Sequence, residues 1–136
     1  MKSVVALLFL VLVWSSAGHC ETWRLYYSNS EYYDADSVGS TGPVKSVWLK
    51  STALGRRAIS VAGGTANYGK FAVELDCNAR TITILGSFFY DSTDRLIKKT
   101  VPAEGTRRQI PIMASNPYGY ETKEEYLLEA LCQKAP

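Results

Sequence analysis

The stretch KFAVELDCNARTITILGSFFYD, residues 70–91, decides the fold. Its first half alternates. Phe71, Val73, Leu75 and Cys77 share one side and Ala72, Glu74 and Asp76 the other, the period of a strand with one face on a core. Cys77 therefore points inward. Asn78-Ala79 is a tight connection, after which residues 80–91 resume the alternation. Ile82, Ile84, Phe88 and Tyr90 are expected on one face, with Thr81, Thr83, Leu85, Ser87 and Phe89 on the other. Ser92-Thr93-Asp94 turns the chain into a third run at 95–101, and the three runs make an antiparallel meander.

Toward the N-terminus, residues 22–28 alternate with Trp23, Leu25 and Tyr27 opposite Arg24, Tyr26 and Ser28. A turn at Asn29-Ser30 leads into a short strand at 31–34, and Gly39-Ser40-Thr41-Gly42-Pro43 breaks the chain again. The next strand, 44–50, centres on Val47-Trp48-Leu49. Residues 51–69 lose the pattern to Gly55, Gly63, Gly64 and Gly69 and read as a long loop with one irregular element. A further short strand fits 109–113.

The last element differs in kind. Thr122 to Glu125 is T-x-x-E, a capping box whose hydroxyl and carboxylate satisfy orphan N–H groups at a helix start. Leu127, Leu128, Ala130 and Leu131 then form an apolar stripe with Cys132 at its edge. Helix and sheet each carry one apolar face that neither can bury alone. The expected class is α+β: an antiparallel sheet with one C-terminal helix packed across a face, tied by a disulfide.

Residues 1–20 are set apart as a signal peptide. Lys2 supplies a positive start, and residues 4–13 are an apolar run too short for the ~20 residues of a membrane span. Cleavage after Cys20 is preferred to cleavage after Ala17, leaving a single domain at 21–136. A lipid-attachment site would want Leu and a small residue where Ala17 and His19 stand, so an outer-membrane lipoprotein is the less favoured reading. The expected location is extracytoplasmic, periplasmic or secreted. No other segment is apolar and long enough to be transmembrane.

With 15 basic and 13 acidic groups in 136 residues, and Lys2 lost with the leader, the net charge falls to +1, which gives no footprint for nucleic acid. The only histidine, His19, also leaves. That excludes Ser-His-Asp and Cys-His triads and His-bearing zinc sites from the mature chain. Cys77 and Cys132 remain, an even number in a compartment where disulfides persist; the alternative is two free thiols. A bridge across their 55-residue separation would stabilise by about 4 kcal/mol through chain entropy.

Gly63-Gly64 lacks the G-x-x-x-x-G-K-[ST] pattern of a phosphate cradle. Asp34, Asp36, Asp91 and Asp94 could form a carboxylate pair, but Asp is favoured in turns for local hydrogen-bonding reasons, which is the simpler reading. The doublets Arg56-Arg57, Lys98-Lys99 and Arg107-Arg108 are more economically solvated strand ends than an anion patch. Tyrosine offers a rigid contact area with a polar tip, so Tyr26, Tyr32, Tyr118 and Tyr120, with Arg107 and Arg108, are the candidate binding surface. Adjacent pairs such as Tyr26-Tyr27 should point to opposite faces. No catalytic residue, metal ligand or cofactor site is legible.

The order of these features resembles the surface-adhesin protein E-like family of exported bacterial proteins. The resemblance rests on Trp23, Tyr32-Tyr33-Asp34 with Ser37 beyond it, Val47-Trp48, Cys77 followed by Arg80-Thr81, Tyr90-Asp91, Ile110-Pro111 and Cys132. It spans about residues 22 to 133. It implies a sheet of about six antiparallel strands with a disulfide-tied C-terminal helix, and a best-known member that is a surface lipoprotein adhesin binding host matrix proteins and able to dimerise. The expectation is therefore a non-enzymatic exported binding module that recognises a protein or small extracytoplasmic ligand through a sheet or loop surface. The alternative is a non-adhesive homodimeric structural protein of the periplasm.

Overall fold

The computed structural model describes residues 20–54, 59–61 and 64–133. The expected leader lies, apart from Cys20, outside the described residues, as do Arg56 and Arg57. Ten strands and one helix follow in the order β1 (Trp23–Tyr27), β2 (Glu31–Asp34), β3 (Gly39–Thr41), β4 (Val44–Ser51), β5 (Ile59–Val61), β6 (Gly64–Ala66), β7 (Tyr68–Asp76), β8 (Thr81–Tyr90), β9 (Leu96–Thr100), β10 (Gln109–Pro111) and α1 (Lys123–Cys132).

Eight strands form one antiparallel sheet in the order β1-β2-β4-β7-β8-β10. β3 shares the β2 edge of β4, and β9 shares the β10 edge of β8. Six strand positions thus hold eight strands, which is why a six-strand reading and an eight-strand sheet agree. Where β2 gives way to β3, the edge of β4 is closed by a side chain: Trp48 N–H donates to Ser37 Oγ at 2.9 Å, and that hydroxyl donates to Asp34 O at 2.8 Å. β3 reads as a chain break in sequence because Gly42, at φ 58°, and Pro43 form its turn into β4. The stretch read as loop holds a separate two-stranded hairpin, β5-β6, whose strands are too short to show a period.

The core lies between one face of the sheet and α1, where Val47, Leu49, Val73, Leu75, Ile112, Leu127 and Leu128 are buried together. Thr122 caps the helix, its Oγ1 accepting from Glu125 N–H at 3.3 Å. The Glu125 carboxylate does not complete a box; it pairs with Arg80 in the β7–β8 turn. Ala130, expected in the apolar stripe, is exposed, since residues 124, 127, 128 and 131 make the face that meets the sheet. Cys77 and Cys132 are bonded with Cα atoms 5.5 Å apart, joining the end of β7 to the last turn of α1.

Two bulges overturn the alternation expected from sequence. In β8, Ala72 pairs with Gly86 but Val73 with Ile84, so Leu85 is an extra residue. A single insertion inverts every later side chain. Ile82 and Ile84 face the helix, whereas Phe88 and Tyr90 project from the opposite face and Phe89 turns to meet Phe71 edge-on at 5.9 Å. In β1 the register slips between Leu25 and Tyr27. Tyr26 and Tyr27 therefore do not oppose one another: Tyr26 packs on the core and Tyr27 on Tyr126 of the helix, 5.4 Å between centroids.

Candidate functional site

The face of the sheet turned away from α1 carries the candidate site. Residues two apart on a strand share a face, so β4 places Trp48 and Lys50 there, β7 places Tyr68 and Lys70, and the bulged β8 places Phe88 and Tyr90. Trp23 of β1 and Lys99 of β9 complete the row from the sheet edges. The helix packs on the other face, and of these residues Trp48 is 37% exposed.

Cross-strand pairing sets the ring geometry. Tyr68 pairs with Tyr90 and the two rings stack at 5.0 Å and 9°. Trp48 lies beside Ala72 and, one strand further, Gly86, small residues that leave room for its contact with Phe88 at 5.4 Å. Gly86 is needed there. A Cβ at this position would stand 2.9 Å from Phe88 Cε2.

The lysines sit over these rings. Lys50 Nζ is 4.7 Å from the Tyr68 centroid and 5.7 Å from that of Trp23, Lys70 Nζ is 5.4 Å from Trp23 and 5.7 Å from Tyr90, and Lys99 Nζ is 5.7 Å from Phe88. Glu21 engages only part of this charge. It accepts from Lys70 at 2.7 Å and from Trp23 Nε1 at 3.0 Å, and the Lys70 bond holds its carboxyl below the usual range. Partial burial, then a 3.0 Å hydrogen bond to Asp94, pushes the Tyr68 hydroxyl up to about 12. Between the rings a depression of about 200 Å³ is walled by Glu21, Trp23, Asp34, Trp48, Lys70 and Tyr90.

A second concavity of about 370 Å³ opens between the sheet and the start of α1, with Phe71, Val73, Ile84 and Leu127 among its walls and Glu31 and Ser51 on one side. Ser51 donates to Glu31 at 2.9 Å. Burial, then the Glu31 and Glu124 carboxylates, drive the pKa of Tyr26 on the same wall well above the ordinary tyrosine range.

The residues proposed from sequence do not converge. Tyr26 is half-buried beside the core, whereas Tyr32, paired with Lys50, lies on the candidate face with its hydroxyl on Asn29 O at 3.0 Å. Tyr118 and Tyr120 are 85% and 71% exposed on the loop before α1. Arg107 and Arg108 are exposed beside β10, at the far edge of the sheet from Tyr32. The aspartates read as turn residues act as such: Asp34 Oδ1 accepts from Thr22 N–H and Asp36 N–H, and Asp91 Oδ1 from Thr93 and Arg95 N–H. The aromatic–lysine row was missed, although W-x-K, Y-x-K and F-x-Y in three adjacent strands carry it.

No protein-family model and no curated protein sequence matches this chain. Solved structures do. The same architecture is found in protein E of Haemophilus influenzae. One crystal form of that protein matches with a TM-score of 0.53 at 13% identity, covering 81% of this chain and 86% of the other; a second structure gives 0.52 at 15%, with 81% and 83% covered. Protein E from a non-typeable strain gives 0.50 at 12%, covering 79% and 88%. At such identities the likeness is one of fold alone.

Proposed function

We propose that the chain is an exported binding module of the protein E-like kind, which recognises a protein partner through the face of its sheet turned away from α1. The observation that carries this reading is the row of Trp23, Trp48, Tyr68, Phe88 and Tyr90 interleaved with Lys50, Lys70 and Lys99. Aromatic rings supply desolvated contact area at low entropic cost, while lysines laid over them favour a partner with apolar groups and carboxylates. The Cys77–Cys132 bond supports an oxidising, extracytoplasmic setting, as does the apolar run at 4–13. Among the described residues no helix is long and apolar enough to cross a membrane.

Pull-down from the cognate extracytoplasmic extract tests the proposal. A specific partner should be retained by the native chain, weakened but not abolished by moderate salt, and lost in a Trp48→Ala, Lys50→Glu double variant. Retention by that variant, or loss in an Arg107→Ala, Arg108→Ala variant, would move the surface elsewhere. Turnover of a substrate that depends on one carboxylate would replace binding by catalysis.

A further inference from the structure

We propose that the cavity between the sheet and the start of α1 is a site for a small amphipathic amine, a ligand with one protonated amino group on an apolar body. It is independent of the face described above. The volume of about 370 Å³ falls in the lower part of the range for small-molecule sites, roughly 300–1,000 Å³. Its walls are mostly apolar, so an apolar body gains from entering.

The polar groups choose the head. Glu31 is a carboxylate on the cavity wall with the residue only 7% exposed. One oxygen, Oε1, accepts from Ser51 and lies 3.8 Å from Lys123 Nζ, whose side chain is 46% exposed at the rim. The other, Oε2, has no hydrogen-bond partner among the described residues and, since none of their buried polar side-chain atoms is unsatisfied, it is open to solvent in the cavity. Glu124 adds a second carboxylate to the lining, so two acidic groups face one loosely held ammonium. A largely shielded carboxylate whose open oxygen meets water in an apolar cavity exchanges that water most favourably for a donor that is also a cation. An ammonium head satisfies Oε2 and neutralises the excess charge; a carboxylate head would meet Glu31 and Glu124 with the same sign, and a hydroxyl supplies a donor without the charge.

The test uses the oxidised mature chain and three matched probes, n-octylamine, n-octanol and octanoate, followed by amide chemical shifts and calorimetry at neutral pH. Octylamine should shift Glu31, Ser51 and Leu127 and bind about 10- to 100-fold more tightly than octanol, the worth of one charge-assisted hydrogen bond, with octanoate weaker still. Glu31→Gln should bring octylamine down to the octanol level, and Ala53→Trp at the exposed rim should block both. Lys123→Met removes the resident cation without touching the core and should raise octylamine affinity, so the question stays open to test if Glu31→Gln fails to fold. Octanoate binding as well as octylamine, octylamine affinity unchanged in Glu31→Gln or not raised in Lys123→Met, or no probe shifting these amides would each overturn the proposal.

Discussion

Truncating Leu127 and Leu75 to alanine separates the walls of the cavity from the closed core. Each change removes the same three carbons from a side chain that is 1% and 0% exposed respectively. The lost transfer term is about 2.4 kcal/mol at about 0.8 kcal/mol per buried carbon. What differs is the void. Leu75 is fully buried and borders none of the three concavities seen among the described residues, so its deletion leaves a closed hole in the sheet–helix core, and the cavity term should carry the total to about 4–5 kcal/mol. Leu127 already borders the 370 Å³ cavity, so its deletion enlarges a space that solvent can occupy and should cost only about 2–3 kcal/mol. The Cys77–Cys132 bond stays intact in both variants, and its constraint on the unfolded chain cancels. Urea unfolding of the oxidised proteins, with slopes compared to confirm like-for-like transitions, measures the difference. Leu127→Ala as costly as Leu75→Ala, or either change costing under about 1 kcal/mol, would refute the placement of the cavity against α1.

Three further outcomes are expected. Reducing the disulfide, or replacing both cysteines by serine, should lower stability by about 4 kcal/mol, since 55 residues of chain are released; an unchanged urea midpoint would count against the tether. The Thr93 hydroxyl, then the Arg95 and Thr93 N–H groups, hold the Asp91 carboxyl at about 2 against an ordinary 3.8. Its contribution is therefore complete above pH 3.8 and lost as pH falls toward 2, so native and Asp91→Asn midpoints should differ near neutrality and converge across that interval in acid unfolding curves. Gly86→Ala should push the Phe88 ring from Trp48 while leaving α1 docked, changing near-UV dichroism but not far-UV; identical near-UV spectra would contradict the packing.

The fold was largely legible because its carriers are local. Alternation in β7, the cap at Thr122 and the stripe through Leu127, Leu128 and Leu131 each lie within a few residues, and the inward placement of Cys77 followed from parity alone. The site was not. Leu85 and Tyr26 look like any other strand residue, yet each adds one residue to a register and moves its neighbours to the other face. Tyr90 stacks on Tyr68 only after that insertion, and Lys50 reaches Tyr68 only across an adjacent strand, contacts that a one-dimensional period does not contain. Short elements were lost for a related reason: β3, β5 and β6 have three residues each, too few for a period to emerge.

The central claim is that recognition uses the sheet face opposite the helix. Photo-crosslinking in living cells tests it most directly, with a photoreactive phenylalanine analogue placed at Trp48, which is 37% exposed on that face, and in separate strains at Arg107 and Tyr118. The expected result is an adduct with a different polypeptide from position 48 and none from the other two. Adducts from 107 or 118 with none from 48, or an adduct of the chain with its own copy at 48, would contradict it.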